Sequence, residues 1–274
     1  MRIGIMQGRL LPPQGAFQSF PRSGWDREFG LAAQAGLEGI EWIFDVGGAG
    51  ENPLASDSGC DRVRQLAEGH GVGVRSVCAD YFMERPLLRC GAAELAERLG
   101  TLRWLLGRCR RLGASRIVLP FVDASRMETE RERQQVQDVL GEILPDVEKT
   151  GVELHLETSL PPAQLRELCD SLNHSRVRVT YDSGNSASLG FRPEEEWAAY
   201  GDRVGSVHIK DRRLGGSTVP LGTGDVDFAV LFDWMRRCGY DGDLILQASR
   251  GEPGDEVALA AADRSFLQRH LQRK

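Results

Sequence analysis

Four short apolar segments of this chain each contain a side chain that can bind a cation or move a proton. These side chains are Glu157 in VELHLE, Asp182 in RVRVTYD, His208 in VGSVHI and Gln247 in LILQ. Two carboxylates, an imidazole and an amide oxygen can together bind one divalent cation. Such a set suits Mn²⁺ or Mg²⁺ better than a thiolate-preferring metal, although Zn²⁺, Co²⁺ and iron are compatible with it. The four residues therefore favour a single metal site, with Mn²⁺ as the expected ion.

The segment around Glu157 alternates between polar and aliphatic residues. Glu153, His155 and Glu157 are separated by leucines. Because the side chains of a β-strand point alternately to its two faces, the three polar residues share one face, and His155 lies one layer beneath Glu157. His155 is then either an interior histidine satisfied by its neighbours or a residue that contacts the substrate.

Charged residues cluster where the strand containing His208 should end. Lys210, Asp211 and Arg212 follow it closely. Charges at the exit of an apolar strand are costly to bury, so we expect them to face a site. Lys210 and Arg212, together with Arg250 beyond the last apolar segment, are candidates for contacts with an anionic or hydroxylated part of a substrate. Each of the three is equally compatible with an ordinary surface charge.

The elements that must position these residues recur along the chain. A helical stretch ends near a glycine, which can adopt the left-handed conformation, and a short apolar strand follows. The glycines are Gly36, Gly71, Gly113, Gly151, Gly201 and Gly239, and the eight predicted strands are RIGIMQ, LEGIEWI, VGVRSVCA, ASRIVLP, VELHLE, RVRVTYD, DRVGSVHI and YDGDLILQ. Helices are predicted at 24–35, 57–70, 90–112, 127–149, 161–173, 193–200, 226–238 and 255–271. Asp225 is expected to cap the helix that begins near Val226.

Eight strands alternating with eight helices over about 250 residues predict a (β/α)8 TIM barrel, here as a single domain over residues 1–274. A doubly wound open sheet is the alternative. It would carry a glycine-rich phosphate loop after its first strand, and MQGRLLPPQG has no such pattern.

In a barrel, the active site lies at the C-terminal ends of the strands. The polar residues at those positions are Gln7, Arg9, Glu41, Asp45, Asp80, Asp123, Glu157, Asp182, Asn185, His208, Lys210, Asp211, Gln247 and Arg250. Glu41 and Asn185 therefore join His155, Lys210, Arg212 and Arg250 as candidate substrate-binding residues. The loops at 46–60 and 80–90 are expected to shape the pocket.

Composition narrows the class of protein. The chain has 274 residues and a net charge of −6, with 41% apolar and 27% charged residues. These values are typical of a soluble enzyme and argue against a broad nucleic-acid-binding face. No segment approaches the roughly 18 apolar residues of a membrane span. The six cysteines are scattered without a CxxC pair, so we expect a reduced, cytoplasmic protein.

Four segments, taken in order and spacing, resemble the xylose isomerase-like TIM barrels, a family that includes sugar-phosphate isomerases and epimerases. They are HLE ending at Glu157, YDSGN at 181–185, VHIKD at 207–211 and LGTGDVDF at 221–228. The resemblance spans nearly the whole chain. It implies one divalent metal bound by Glu157, Asp182, His208 and the strand-eight residue, a sugar or sugar-phosphate substrate, and a homodimer or homotetramer.

The strand-eight residue departs from the family pattern. Many relatives have glutamate there, and two glutamates serve as the two bases of a ketose epimerase. Gln247 cannot accept and return a proton, although its amide oxygen can still bind a metal. We therefore expect Glu157 to act as the general base, with the metal stabilising an enediolate. One such carboxylate favours an aldose–ketose shift or loss of water over inversion, and Glu41, Asp80 and His155 are alternative second bases.

The first interpretation is thus a metal-dependent sugar or sugar-phosphate isomerase or epimerase. A dehydratase of the same fold, of the inosose or dehydroshikimate type, would use the same metal and base. A non-catalytic metal- or sugar-binding relative is a further alternative, because Gln247 removes a proton carrier. An abasic-site endonuclease is disfavoured by the negative net charge and by the presence of only five histidines.

Overall fold

Eight parallel strands form a closed barrel in the computed structural model, which describes residues 1–14 and 18–272. The strands are β1 (Ile3–Met6), β2 (Gly39–Ile43), β3 (Gly73–Cys78), β4 (Arg116–Phe121), β5 (Glu153–Thr158), β6 (Val177–Asp182), β7 (Val204–Ile209) and β8 (Asp243–Leu246). Each strand pairs with its neighbours in the chain, and β8 closes the ring against β1. The predicted TIM barrel is confirmed.

Helices alternate with these strands. They span Glu28–Gln34, Asp57–His70, Tyr81–Glu84, Ala92–Leu112, Glu130–Thr150, Pro162–Leu172, Ser183–Leu189, Pro193–Tyr200, Phe228–Arg237 and Glu256–Gln272, with 3₁₀ turns at Pro53–Ala55, Asp123–Ser125 and Gly201–Arg203. Two short helices were not predicted, Tyr81–Glu84 and Ser183–Leu189. Both begin just after the C-terminal end of a strand, so they lie at the end of the barrel where an active site is expected.

Helix ends follow the predicted glycine pattern with one exception. Positive φ angles occur at Gly36, Gly71, Gly113, Gly151 and Gly239, whereas Gly201 has a φ of −57°. The Pro193–Tyr200 helix runs directly into the 3₁₀ turn Gly201–Arg203 before β7 begins. A continuing right-handed turn needs no left-handed residue, so this glycine does not end the helix in the predicted way.

The prediction that Asp225 caps a helix from Val226 is wrong. The helix begins at Phe228, and Asp227 caps it by accepting a hydrogen bond from the Val230 N–H at 3.0 Å. The carboxylate of Asp225 instead accepts an N–H from the preceding loop. Two aspartates flank one valine in this sequence, and local pattern alone does not choose between them.

A two-stranded antiparallel hairpin follows β7 and pairs Asp211–Arg212 with Thr218–Val219. Asp211 is buried, and its carboxylate accepts backbone N–H groups from Gly222 and Gly224, both at 2.8 Å. One carboxylate therefore closes the loop beyond the hairpin through main-chain contacts. This arrangement fixes the chain immediately after Lys210.

The predicted alternation along β5 is present. Leu154 and Leu156 belong to the buried core, while His155 is buried inside the barrel with both ring nitrogens bonded, Nδ1 to Ser206 at 2.8 Å and Nε2 to Glu153 at 2.9 Å. The barrel interior beneath the mouth is thus a packed, hydrogen-bonded layer.

No helix of the described chain combines the length and apolar character that crossing a membrane requires.

Gly205 on β7 makes room for the buried histidine, and we expect Gly205→Ala to destabilise the barrel. An added Cβ would lie 2.4 Å from Cε1 and 2.8 Å from Nε2 of His155, a ring held on both sides. Forcing it aside should lower the free energy of unfolding by about 1–3 kcal/mol. Gly107→Ala is the matched control, because nothing lies within 4 Å of its added methyl group. Equal denaturant midpoints for wild type and Gly205→Ala would contradict this expectation.

Candidate metal and proton-transfer site

Three of the predicted metal ligands meet at the C-terminal mouth of the barrel. One ligand atom from each of Glu157, Asp182 and His208 lies within 4.8 Å of the others. The Nδ1 atom of His208 lies 3.5 Å from Glu157 Oε2 and 4.0 Å from Asp182 Oδ2. Strand register produces part of this arrangement, since Asp182 on β6 pairs directly with His208 on β7.

A buried carboxylate fixes the orientation of the imidazole. Glu41 in β2, three positions around the ring from β7, has its Oε1 atom 2.6 Å from Nε2 of His208, and both side chains have no exposed surface. Burial alone would lower the pKa of His208, but the neighbouring Glu41, Glu157 and Asp182 carboxylates raise this pKa to about 9. Glu41 thus acts on the site through His208.

Asn185 binds the remaining carboxylate oxygen of Glu157, and Arg212 in turn binds Asn185. Asn185 Nδ2 donates to Glu157 Oε1 at 2.9 Å, and Arg212 Nη1 donates to Asn185 Oδ1 at 2.9 Å. Arg212 also donates twice to the carbonyl of Gly216. Burial and the nearby Asp182 carboxylate raise the pKa of Glu157, although His208 and Lys210 oppose this rise. A carboxylate with a raised pKa is suited to proton transfer near neutral pH.

Lys210 lies between the cluster of Glu157, Asp182 and His208 and the side chain of Gln247. Its Nζ atom is 2.9 Å from Asp182 Oδ2 and donates to Gln247 Oε1 at 2.8 Å. Gly184 makes this position possible, because a Cβ there would approach Lys210 Cγ to 2.7 Å. The amide oxygen of Gln247 is therefore bound to an ammonium group in this structure, and its role as a fourth ligand stays a prediction.

The three clustered residues fit a divalent cation. His208 Nδ1 is buried without a hydrogen-bond partner among the described residues, and it faces two carboxylate oxygens. A buried polar atom left without a partner is uncommon. Two oxygens and one imidazole nitrogen are ligands that Mn²⁺, Co²⁺ and Zn²⁺ accept.

Two of the predicted substrate-binding residues, His155 and Arg250, have other hydrogen-bond partners in the structure. His155 is satisfied by Ser206 and Glu153 one layer below, and burial lowers its pKa to about 4. Arg250 donates to the carbonyls of Gly8 and Leu11, which attaches the chain segment after β1 to the barrel. A substrate role for either residue stays a prediction.

Sequence reasoning missed Gln18, which joins two sides of the mouth. Its Oε1 accepts from Gln247 Nε2 at 2.8 Å, and its Nε2 donates to Asp80 Oδ2 at 2.9 Å. Gln18 and Asp80 line a cavity of about 460 Å³ whose other walls include the 46–60 and 80–90 loops. A cavity of this volume can hold a sugar, and Glu157, Asp182 and His208 are not among the residues that line it. Gln18 follows no strand and belongs to no motif, so the sequence carries no signal for it.

The comparisons with known proteins agree with this fold. A family model described as "Xylose isomerase-like TIM barrel" matches residues 29–270. Among curated proteins, L-ribulose-5-phosphate 3-epimerase UlaE of Shigella flexneri serotype 5b is 25% identical over 265 residues, which cover 90% of this chain and 92% of that protein.

Solved structures of low sequence identity share the fold. The IolI protein, crystallised with a bound zinc atom, superimposes with a TM-score of 0.76 at 19% identity, covering 98% of this chain and 97% of its own. D-Psicose 3-epimerase from Clostridium cellulolyticum H10, solved with D-tagatose, gives a TM-score of 0.77 at 15% identity over 100% of both chains.

Proposed function

Because the chain belongs to the xylose isomerase-like TIM barrel family, we propose that it is a divalent-metal-dependent sugar isomerase or epimerase. The observation that carries this proposal is the cluster of Glu157, Asp182 and His208, with the Nδ1 atom of His208 buried without a partner and facing both carboxylates. The curated relative named above is a sugar-phosphate epimerase, which supports a ketose or ketose phosphate as substrate.

Glu157, Asp182 and His208 would hold the metal, for which we propose Mn²⁺, and Gln247 is the proposed fourth ligand once Lys210 releases its amide oxygen. When bound, a divalent cation at this position stabilises negative charge that develops on substrate oxygens during proton transfer. Glu41 keeps the imidazole oriented with Nδ1 toward the cluster.

Glu157 acts as the general base and removes the proton from the carbon next to the substrate carbonyl. The C–H electron pair then forms a carbon–carbon double bond, and the carbonyl oxygen becomes an enediolate oxygen. Asn185 holds Glu157 by one carboxylate oxygen, which leaves the other directed toward the cluster. Return of the proton to a neighbouring carbon or to the opposite face of the same carbon gives the isomer or the epimer.

Lys210, Asn185, Arg212 and Arg250 are proposed to position the substrate. Lys210 is the cation nearest the cluster, and its ammonium already bridges Asp182 and Gln247. Arg212 acts through Asn185 rather than directly. Arg250 acts through the segment after β1, whose backbone it holds.

Metal-dependent deuterium exchange tests the proposal. The protein would be stripped of metal, reloaded with Mn²⁺ and incubated in heavy water with ketoses, ketose phosphates and inososes, among them D-tagatose, L-ribulose and L-ribulose 5-phosphate. We expect NMR to show deuterium next to a carbonyl only when metal is present. Exchange without metal, or no exchange with any sugar despite bound metal, would contradict the proposal, and a new enone absorbance would indicate the dehydratase instead.

A further inference from the structure

Inversion at a carbon next to a carbonyl needs proton transfer on both faces of the substrate. Glu157 serves one face in the proposed function, on which this inference rests. Gln247 carries no transferable proton, because an amide neither ionises nor accepts a proton near neutral pH. The site therefore needs another titratable group if it is to invert its substrate.

The structure separates the three candidate second bases. Glu41 has no exposed surface, and its Oε1 lies 2.6 Å from His208 Nε2, on the side of the imidazole away from the cluster. His155 lies beneath the site with both ring nitrogens bonded. Neither group can reach a substrate held at the mouth of the barrel. Asp80 is also largely buried, and both of its oxygens accept hydrogen bonds, but unlike the other two it lines the cavity of about 460 Å³.

Asp80 lies at the same end of the barrel as the metal cluster. It follows β3, which is two positions from β5 with Glu157, three from β6 with Asp182 and four from β7 with His208. Its Oδ1 accepts the thiol hydrogen of Cys78 at 3.1 Å, and its Oδ2 accepts from Gln18 Nε2. Through Gln18, Asp80 is two hydrogen bonds away from Gln247. The carboxyl group thus belongs to the same network as the strand-eight position that lacks one.

We propose that Asp80 is the second proton-transfer residue of this active site and acts on the substrate face opposite Glu157. Glu157 takes the proton from the reacting carbon, and its electron pair passes into the enediolate. Asp80 then gives a proton to the other face of that carbon, so Asp80 ends as a carboxylate and Glu157 as an acid, and both reset by exchange with water. Burial raises the pKa of Asp80, which favours its protonated form relative to an exposed aspartate.

Deuterium labelling separates the two proton transfers. Wild type and Asp80→Asn, both loaded with Mn²⁺, would be incubated in heavy water with D-tagatose, L-ribulose and L-ribulose 5-phosphate. NMR would follow two signals, deuterium in sugar that keeps its configuration and formation of the epimer. We expect Asp80→Asn to lose inversion by about 10²-fold or more, as when a general acid–base group is removed, while exchange through Glu157 continues.

A matched control and a rescue variant complete the design. Asp123→Asn changes the corresponding aspartate after β4, which is exposed and lies outside the cavity lining. The double variant Asp80→Asn with Gln247→Glu places a carboxylate at position 247, which Gln18 links to position 80. We expect this variant to recover inversion. Metal content and melting temperature would be measured for every variant.

Several results would overturn this role. They are normal inversion by Asp80→Asn, joint loss of exchange and inversion in a folded, metal-loaded Asp80→Asn protein, and no recovery in the double variant. Absence of exchange in wild type with every sugar is distinguishable from these, because it overturns the proposed function itself and removes the basis of the Asp80 assignment.

Discussion

Glu157→Gln is expected to reduce metal-dependent deuterium exchange by roughly 10²–10⁴-fold, the range found when a general base is removed. Glutamine is nearly isosteric with glutamate and keeps an oxygen that can accept the Asn185 hydrogen bond. It cannot take a proton from carbon. The loss should therefore appear in the rate of proton removal, whereas substrate affinity and the melting temperature change little. Exchange rates would be measured by NMR at saturating Mn²⁺.

Glu153→Gln is the matched control, because Glu153 lies on the same strand and the same face, two layers below Glu157. It contacts His155 and not the metal cluster. We expect exchange close to the wild-type rate. Metal content must be measured in both variants, since loss of metal would mimic loss of the base. Near-normal exchange by metal-loaded Glu157→Gln would refute Glu157 as the base.

His208→Gln is expected to weaken metal binding by more than the roughly 10–100-fold that accompanies changes in residues behind the ligands. A glutamine amide can place an N–H near the position of Nε2 and so preserve the contact with Glu41. It has no atom equivalent to Nδ1, which is the atom that faces Glu157 and Asp182. We expect His208→Gln to remain folded and to bind the metal much more weakly. Isothermal titration with Mn²⁺ and with Zn²⁺ measures the difference without reference to any sugar.

Two further variants calibrate this measurement. Glu41→Gln should fall within the roughly 10–100-fold range, because Glu41 orients a ligand without being one. His174→Gln should leave affinity unchanged, since His174 pairs with Glu148, a residue of the Glu130–Thr150 helix. An unaltered Mn²⁺ affinity in His208→Gln would remove the imidazole from the proposed ligand set.

The barrel and much of its mouth could be predicted because both depend on repeated local patterns. Apolar strands alternating with helices place Glu157, Asp182 and His208 at equivalent ends of neighbouring strands, and parallel strands bring those ends together. The alternation along β5 likewise predicts His155 inside the barrel. These inferences need only strand period and strand order.

Contacts that depend on loop conformation could not be predicted. Gln18 reaches both Gln247 and Asp80 from a segment without periodicity. The bond between Lys210 and Gln247 depends on side-chain rotamers, which strand order does not determine. The choice between Asp225 and Asp227 as helix cap depends on one residue of register, within the usual uncertainty of helix boundaries.

Three side chains of the barrel hold the backbone of the described part of the segment between β1 and the first helix. Glu28 accepts the N–H of Gly8, Arg250 donates to the carbonyls of Gly8 and Leu11, and Asp45 accepts the N–H of Phe20. Main-chain attachments do not depend on the identity of the side chains they hold. The segment also precedes residue 29, where the family match begins. These backbone attachments leave most of the segment's side chains unconstrained by them, but the Gln18 side chain bonds to both Gln247 and Asp80, so replacing Gln18 is expected to alter the mouth of the barrel even where the attachments persist.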